Sequence, residues 1–259
     1  MDLDLAGRTA IVTGAGAGIG LATTRALAAE GVSVVAGSLR VTPALEELAA
    51  TASVTPLAVD LTDPSAPAQL IAASSAPIDI LVNNVGATHA RTDGFTAITD
   101  AMWHDTFEIN LMATVRMIRE VLPGMMHSGT GVILNTGSLN ARLPDPLVLD
   151  YSAAKAALVN MAKALSKEVG PHGIRVATVD PGPVATNLWL GDGGVANVVA
   201  GATGKSPDDI AAGAAAGMVT GRFTRPEEVA NLLVMLASDR LSNLTGTDVV
   251  IDGGMVQTL

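Results

Sequence analysis

Tyr151 and Lys155 stand four residues apart in Tyr151-Ser-Ala-Ala-Lys155, a spacing that puts two side chains on one face of a helix. Tyr151 is the chain's only tyrosine. A free phenol titrates at about 10, and a neighbouring ammonium favours the phenolate, lowering that value and making the phenol an acid/base near neutral pH. Ser138, thirteen residues before the tyrosine, carries a hydroxyl that can bond a carbonyl oxygen where charge develops. A half-buried tyrosine beside a surface lysine is the plainer alternative. A second group of residues points to a nucleotide. Thr13-Gly14-Ala15-Gly16-Ala17-Gly18-Ile19-Gly20 is a glycine loop that lets the backbone approach phosphates, with a following helix to offer N–H groups and a partial positive charge. In Asn83-Asn84-Val85-Gly86, Asn84 reads equally as a tie between strands and as a cofactor contact, with Gly86 beside it.

Placing these residues together requires a scaffold, and the hydrophobic pattern supplies one. Short β-branched runs predict strands at Thr9–Thr13, Val32–Ala36, Val54–Val59, Ile78–Val82, Gly131–Thr136, Ile174–Val179 and Asp248–Ile251. Between them, helices are expected at Gly18–Glu30, Pro43–Ala50, Pro64–Ser74, Asp100–Met126, Tyr151–Val169 and Pro226–Ser238. Thr42 and Pro43 signal a helix start, and Pro123–Gly124 is expected to kink or thin the end of the long helix. The alternation predicts an α/β fold: a Rossmann-type doubly wound, mainly parallel seven-stranded sheet with helices on both faces. Ligands of such sheets bind beyond the carboxyl ends of the strands. That is where the glycine loop, Asn84 and Ser138 fall. Asn187–Arg222, with eight glycines and no aromatic besides Trp189, is the least patterned stretch. It reads as a mobile flap (187–222) within a single domain, 1–259, that orders over substrate.

Composition narrows the function. The formal charge is −10 and no Lys/Arg run occurs, which disfavours nucleic acid. With no cysteine and four scattered histidines (His89, His104, His127, His172), thiol chemistry is excluded and no metal is expected. The start, MDLDLAGRTAIVTGAG, lacks the basic and apolar pattern of a signal peptide, and no stretch approaches roughly 18 apolar residues. A cytoplasmic protein that does not enter a membrane is expected.

Together the motifs resemble the short-chain dehydrogenase/reductase family, in its classical subtype. Thr13–Gly20 is similar to its cofactor loop and Asn83–Gly86 to its Asn-Asn-Ala-Gly motif, with Val85 in place of alanine. Tyr151–Lys155 is similar to its Tyr-x-x-x-Lys motif, Ser138 to its catalytic serine, and Asn110 to the asparagine completing its tetrad. Pro181-Gly182-Pro183-Val184 with Thr186, and Asp252-Gly253-Gly254, match further signatures, so the resemblance spans nearly the whole chain. It implies an NAD(P)-dependent transfer of hydride between a nicotinamide and a small-molecule carbonyl/alcohol substrate. The reaction expected is that of a ketoreductase acting on a 3-oxoacyl group or another ketone. Tyr151 would exchange the proton, Lys155 hold the nicotinamide ribose and lower the tyrosine pKa, and Ser138 polarise the carbonyl. Asn110 would bend its helix and hold a water relaying protons from Lys155. Gly14, Gly16, Gly18, Ile19, Gly20, Asn84, Gly86, Pro181, Gly182, Val184 and Thr186 would contact the cofactor, with Asp60 and Leu61 at the adenine. A homotetramer, or a homodimer, is implied, pairing long helices that carry Met102, Phe107, Leu111, Val115 and Ile118, and pairing the segments Gly246–Leu259.

Cofactor choice turns on the end of the second strand, where members selecting NAD usually carry an acid. Ser38 holds that place here, Arg40 follows, and no carboxylate lies between Glu30 and Glu46. NADP(H) is therefore favoured over NAD(H), although Ala17 stands where many NADP-selective relatives carry a base. Asn140, Leu143, Pro146, Leu147 and Val148, with Val184, Leu188, Trp189 and Leu190, are expected around the substrate, and Arg142 nearby can simply face water. The pattern leaves thioesters, polyketides, steroids, cyclic ketones and sugars open. Three rival readings compete with this one: a non-catalytic NAD(P)-binding sensor, an epimerase or dehydratase of the extended subtype, and a scaffold. A complete tetrad disfavours the sensor, glycine spacing and length disfavour the epimerase, and the charged dyad would be unexplained in a scaffold.

Overall fold

The computed structural model describes residues 2–257. Seven strands form one sheet: β1 (Thr9–Thr13), β2 (Ser33–Ser38), β3 (Val54–Ala58), β4 (Ile80–Asn83), β5 (Gly131–Thr136), β6 (Ile174–Pro181) and β7 (Thr247–Ile251). Their order is β3-β2-β1-β4-β5-β6-β7 and every neighbouring pair is parallel. The order reverses between β1 and β4, the switch point at whose crevice such sheets bind ligands. Side chains alternate between two cores, one on each face. Val12, Val34 and Leu134 lie in one, and Ile11, Val35 and Ile133 in the other.

The helices are α1 (Gly18–Ala29), α2 (Pro43–Thr51), α3 (Ala66–Ala72), α4 (Asp100–Phe107), α5 (Ala113–Ser128), α6 (Leu149–Val169), α7 (Asn187–Leu190), α8 (Val195–Thr203), α9 (Pro207–Ala216) and α10 (Pro226–Ala237). Thr42 accepts from Leu45 N as the cap of α2, with Pro43 opening the helix as expected. The helix expected at Pro64 begins two residues later, because Asp63 accepts from Ser65 N and closes a turn first.

Two expectations are corrected. The long helix is not disturbed most at Pro123–Gly124, since α5 runs on to Ser128 with Pro123 inside it. Its irregularity is a π-helical turn, Glu108–Met112, between α4 and α5 and centred on Asn110. The second concerns 187–222, the least patterned stretch of the sequence, which carries three short helices, α7, α8 and α9. Alanine, the best helix former, outweighs the glycines there. Strand and helix ends elsewhere match expectation to within two residues, and β2 and β6 each run two further toward the site. Among the described residues no helix is long and apolar enough to cross a membrane. Thr258 and Leu259, the end of the segment expected to pair across an interface, lie outside the described residues.

Candidate active site

The glycine loop leaves β1 and enters α1. A Cβ on Gly20 would come 2.1 Å from the Gly14 carbonyl, so no other residue fits there. The loop is held from outside by Thr42, whose hydroxyl donates to Gly16 O at 2.7 Å, so the start of α2 doubles as a clamp. Asn84 ties the next layer. Its Nδ2 donates to Thr13 O at 3.1 Å and its Oδ1 accepts from Thr136 Oγ1 at 3.2 Å, joining β1 to β5. The structural half of the two readings of Asn84 thus describes its side chain, although the residue also lines the cavity below.

Ser138 follows β5 and lies 6% exposed. Its hydroxyl donates to Asn140 Oδ1 at 3.2 Å, and Asn140 N donates back to it at 3.2 Å. Tyr151 and Lys155 project from the first turns of α6. Lys155 is 3% exposed, donates from Nζ to Thr136 O at 2.8 Å, and places Nζ 5.6 Å from the Tyr151 ring centre. Burial holds the Lys155 ammonium down, to about 8, against an opposing pull from Asp180. Burial likewise pushes the Tyr151 phenol above its ordinary value, opposed by the Ser138 hydroxyl and reinforced by Asp180. The lowering expected from the neighbouring ammonium is therefore not what the protein's own groups produce, because desolvation of the phenolate dominates.

Asn110 is fully buried on the π-helical turn. Its Nδ2 donates to Ala87 O at 2.8 Å and to Thr106 O at 2.9 Å, and its Oδ1 accepts from Ala87 N at 3.2 Å. It thereby grips the loop after β4. Gly86 makes room for this, since a Cβ there would lie 2.8 Å from Asn110 Oδ1 and 3.5 Å from Lys155 Nζ.

A cavity of about 690 Å³ runs from Gly14, Gly18 and Ile19 past Asn84 and Gly86 to Ser138, Tyr151 and Lys155, over Pro181, Gly182, Val184 and Thr186, and on between Asn140, Leu147, Val148, Leu188 and Trp189. Thr186 closes its near edge, where a Cβ on Gly18 would meet Thr186 Cγ2 at 3.0 Å. Gly16, Gly20, Ser38, Arg40, Asp60 and Leu61 do not line it. Ser38, at the end of β2, is buried and donates to Arg40 O at 2.6 Å, while the Arg40 side chain is exposed. Asp60 is exposed and accepts from Thr62 N and Oγ1, which hold its carboxyl below the ordinary value. Leu61 turns its side chain into the core, so any contact with a ligand would fall to its backbone. Among the described residues no cluster of acids and histidines could hold a metal.

Sequence reading missed three supports. Asp150, next to Tyr151, is buried and accepts from Arg91 Nε at 3.1 Å and from Thr106 Oγ1 at 2.7 Å. Burial raises its pKa, but these two bonds hold the carboxyl below its ordinary value. The network pins the start of α6 to α4 and to the loop after β4. Asp180, at the end of β6, is fully buried; Arg142 Nε approaches it at 3.4 Å and Arg142 Nη2 reaches Asp248 at 3.0 Å. Arg142 therefore does not simply face water. The third support is the Thr42 clamp. All three join residues far apart in the chain, and no local spacing announces them.

The cradle fits a dinucleotide. The glycine positions admit no side chain without collision at Gly20, and the adjoining cavity leads from them to the tyrosine and lysine. A family model described as short chain dehydrogenase matches residues 8–191. The chain is 35% identical to L-xylulose reductase of Mus musculus over all of both chains. It is 33% identical to the 3-oxoacyl-[acyl-carrier-protein] reductase FabG of Escherichia coli (strain K12), over 98% of this chain and 99% of that one. The crystal structure of L-sorbose reductase from Gluconobacter frateurii, complexed with NADPH and L-sorbose, superposes with a TM-score of 0.90 at 32% identity, covering all of both chains.

Proposed function

The chain belongs to the classical short-chain dehydrogenase/reductase family, and we propose that it reduces a ketone with NADPH through Tyr151, Ser138, Lys155 and Asn110. It is an NAD(P)-dependent oxidoreductase acting on a carbonyl/alcohol pair. The names of its relatives span a 3-oxoacyl thioester and ketoses, which share a ketone. The observation that carries the role assignment is the convergence of Ser138, Tyr151 and Lys155 on one cavity that begins at the glycine loop.

When bound, the nicotinamide supplies or accepts the hydride. The protein's residues do the rest. Tyr151 gives its phenolic proton to the carbonyl oxygen, or takes it from the alcohol. Ser138 turns its hydroxyl from Asn140 to that same oxygen and steadies its developing charge. Lys155 holds the ribose hydroxyls with its ammonium, anchored at Thr136 O. Asn110 fixes the loop after β4 beside Lys155, where a bound water would return protons toward the lysine. Gly14, Gly16, Gly18, Ile19 and Gly20 would form the cradle for the phosphates, and Asn84, Gly86, Pro181, Gly182, Val184 and Thr186 would hold the nicotinamide half. Asp60 and the backbone of Leu61 would meet the adenine.

Preference for NADP(H) rests on the end of β2. No carboxylate stands there to repel a 2′-phosphate, and Arg40 is exposed and available for charge-assisted bonds. Ser38 spends its proton on Arg40 O, which leaves the guanidinium as the main phosphate partner. Steady-state kcat/KM with NADPH and NADH tests this. We expect NADPH to be preferred and Ser38→Asp to shift the preference toward NADH. A clear wild-type preference for NADH would overturn it. The same reading gives a cytoplasmic enzyme, where nicotinamide cofactors are regenerated, assembled as a homotetramer or homodimer.

A further inference from the structure

The cavity extends beyond the reacting groups, and the extension is mostly hydrocarbon. Past Tyr151 it is walled by Leu147 and Val148 from the turn before α6, Leu188 and Trp189 from α7, Val199 from α8 and Ile210 from α9. Leu147 and Leu188 are 36% and 38% exposed, large apolar side chains left open at a site rather than packed away. The flap helices therefore present mostly oil to whatever enters, with Asn187 at the start of α7 the one polar side chain they add to the lining.

Several polar side chains in the same lining have partners already, the buried Thr88 hydroxyl and the Asn187 amide being the exceptions. Asp145 Oδ1 accepts from Leu147 N at 2.9 Å and caps its own turn. Asn140 Oδ1 receives the Ser138 proton, and Lys155 Nζ donates to Thr136 O. Among the described residues Lys155 is the only cation that lines the cavity, and no arginine does. A carboxylate or phosphate on the substrate would lose water there and find no counter-charge beyond the lysine already committed to the ribose. The several hydroxyls of a sugar would lie against leucine, valine and isoleucine.

Resting on the reading above that the chain reduces ketones, we propose that its substrate is an uncharged, largely hydrocarbon ketone. Its carbonyl meets Ser138 and Tyr151, and its alkyl or ring body lies against Leu147, Val148, Leu188, Trp189 and Ile210. In the reduction the carbonyl carbon gains the hydride, the oxygen gains the Tyr151 proton, and the product is the matching secondary alcohol. Discrimination follows from desolvation. Each buried methylene favours the longer ketone, whereas a charged group is held in water by the absence of a partner.

The test is kcat/KM of the wild-type protein with NADPH and with NADH on 2-butanone, 2-hexanone, 2-octanone and cyclohexanone, set beside D-fructose, 2-oxohexanoate and dihydroxyacetone phosphate. The expected result is a rise of about fourfold per added methylene until the cavity is filled. The oxo acid and the phosphate should lie roughly a hundredfold or more below 2-hexanone. Equal or better turnover of the sugar, the oxo acid or the phosphate, or no rise along the alkanone series, overturns the inference while the ketone-reductase reading stands. No turnover of any ketone, and none of the matching alcohols with oxidised cofactor, overturns both.

Discussion

Asp180 illustrates what a single buried charge does to this site. Burial first, and the nearby Asp248 second, push its carboxyl up to about 6, while Arg142 and the Ser138 backbone pull it down. A raised acid binds its proton more tightly folded than unfolded. The fold is thus most stable with respect to this group below the ordinary carboxylate value, and loses that contribution as pH rises from about 4 to about 6. Asp180→Asn should flatten the fall in Tm between those values, measured by thermal unfolding across a pH series, and an unchanged profile would show that the charge is solvated. The same substitution reaches Lys155, because Asp180 opposes the lowering of its pKa to about 8. In the wild type, kcat/KM for the cofactor should decline as pH rises through about 8, where Lys155 loses its charge, and Asp180→Asn should move that limb to lower pH. A limb that stays put would detach Asp180 from the site. Tyr151 and Lys155 were legible because helical spacing ties them together. Asp180, Arg142 and Asp248 were not, since three separate segments meet only through the tertiary fold.

At the scale of elements, the long helix shows how a local irregularity serves the site. The π-helical turn sets Asn110 where its amide reaches both Thr106 O and the Ala87 backbone. Gly86→Ala would place a methyl 2.8 Å from Asn110 Oδ1. We expect it to lower kcat by about tenfold or more through misplaced groups near Lys155, with a smaller effect on stability. Unchanged kcat would mean that the loop after β4 yields freely. The strands and the helices with strong caps could be read from the sequence, as Thr42-Pro43 shows. The flap could not, because its many glycines resemble loop punctuation while its alanines in fact carry α8 and α9. It is nonetheless built of short helices over the cavity. Hydrogen exchange in 187–222 should slow when cofactor and substrate bind together. Equal protection in the empty and ternary states would mark it as a fixed wall.

At the scale of the molecule, the chain leaves apolar surface that a partner copy would cover. Along α4, the π-helical turn and α5, Trp103, Phe107, Leu111 and Val115 recur every four residues and stay half-buried, with Met102 exposed beside them. Ile118, expected on this face, is instead buried in the protein's own core. β7 forms one edge of the sheet, with every residue half-buried. Unpaired edges and apolar stripes of this kind favour self-association. Light scattering at micromolar concentration should give a dimer or tetramer, and a monomer would contradict that reading.

Proton transfer at this site depends on one phenol. Tyr151→Phe keeps the ring and its packing while removing the proton donor. Single-turnover and steady-state reduction of a ketone should fall by roughly a thousandfold in kcat, with the dissociation constant of the cofactor nearly unchanged. Turnover close to wild type in Tyr151→Phe would contradict the account.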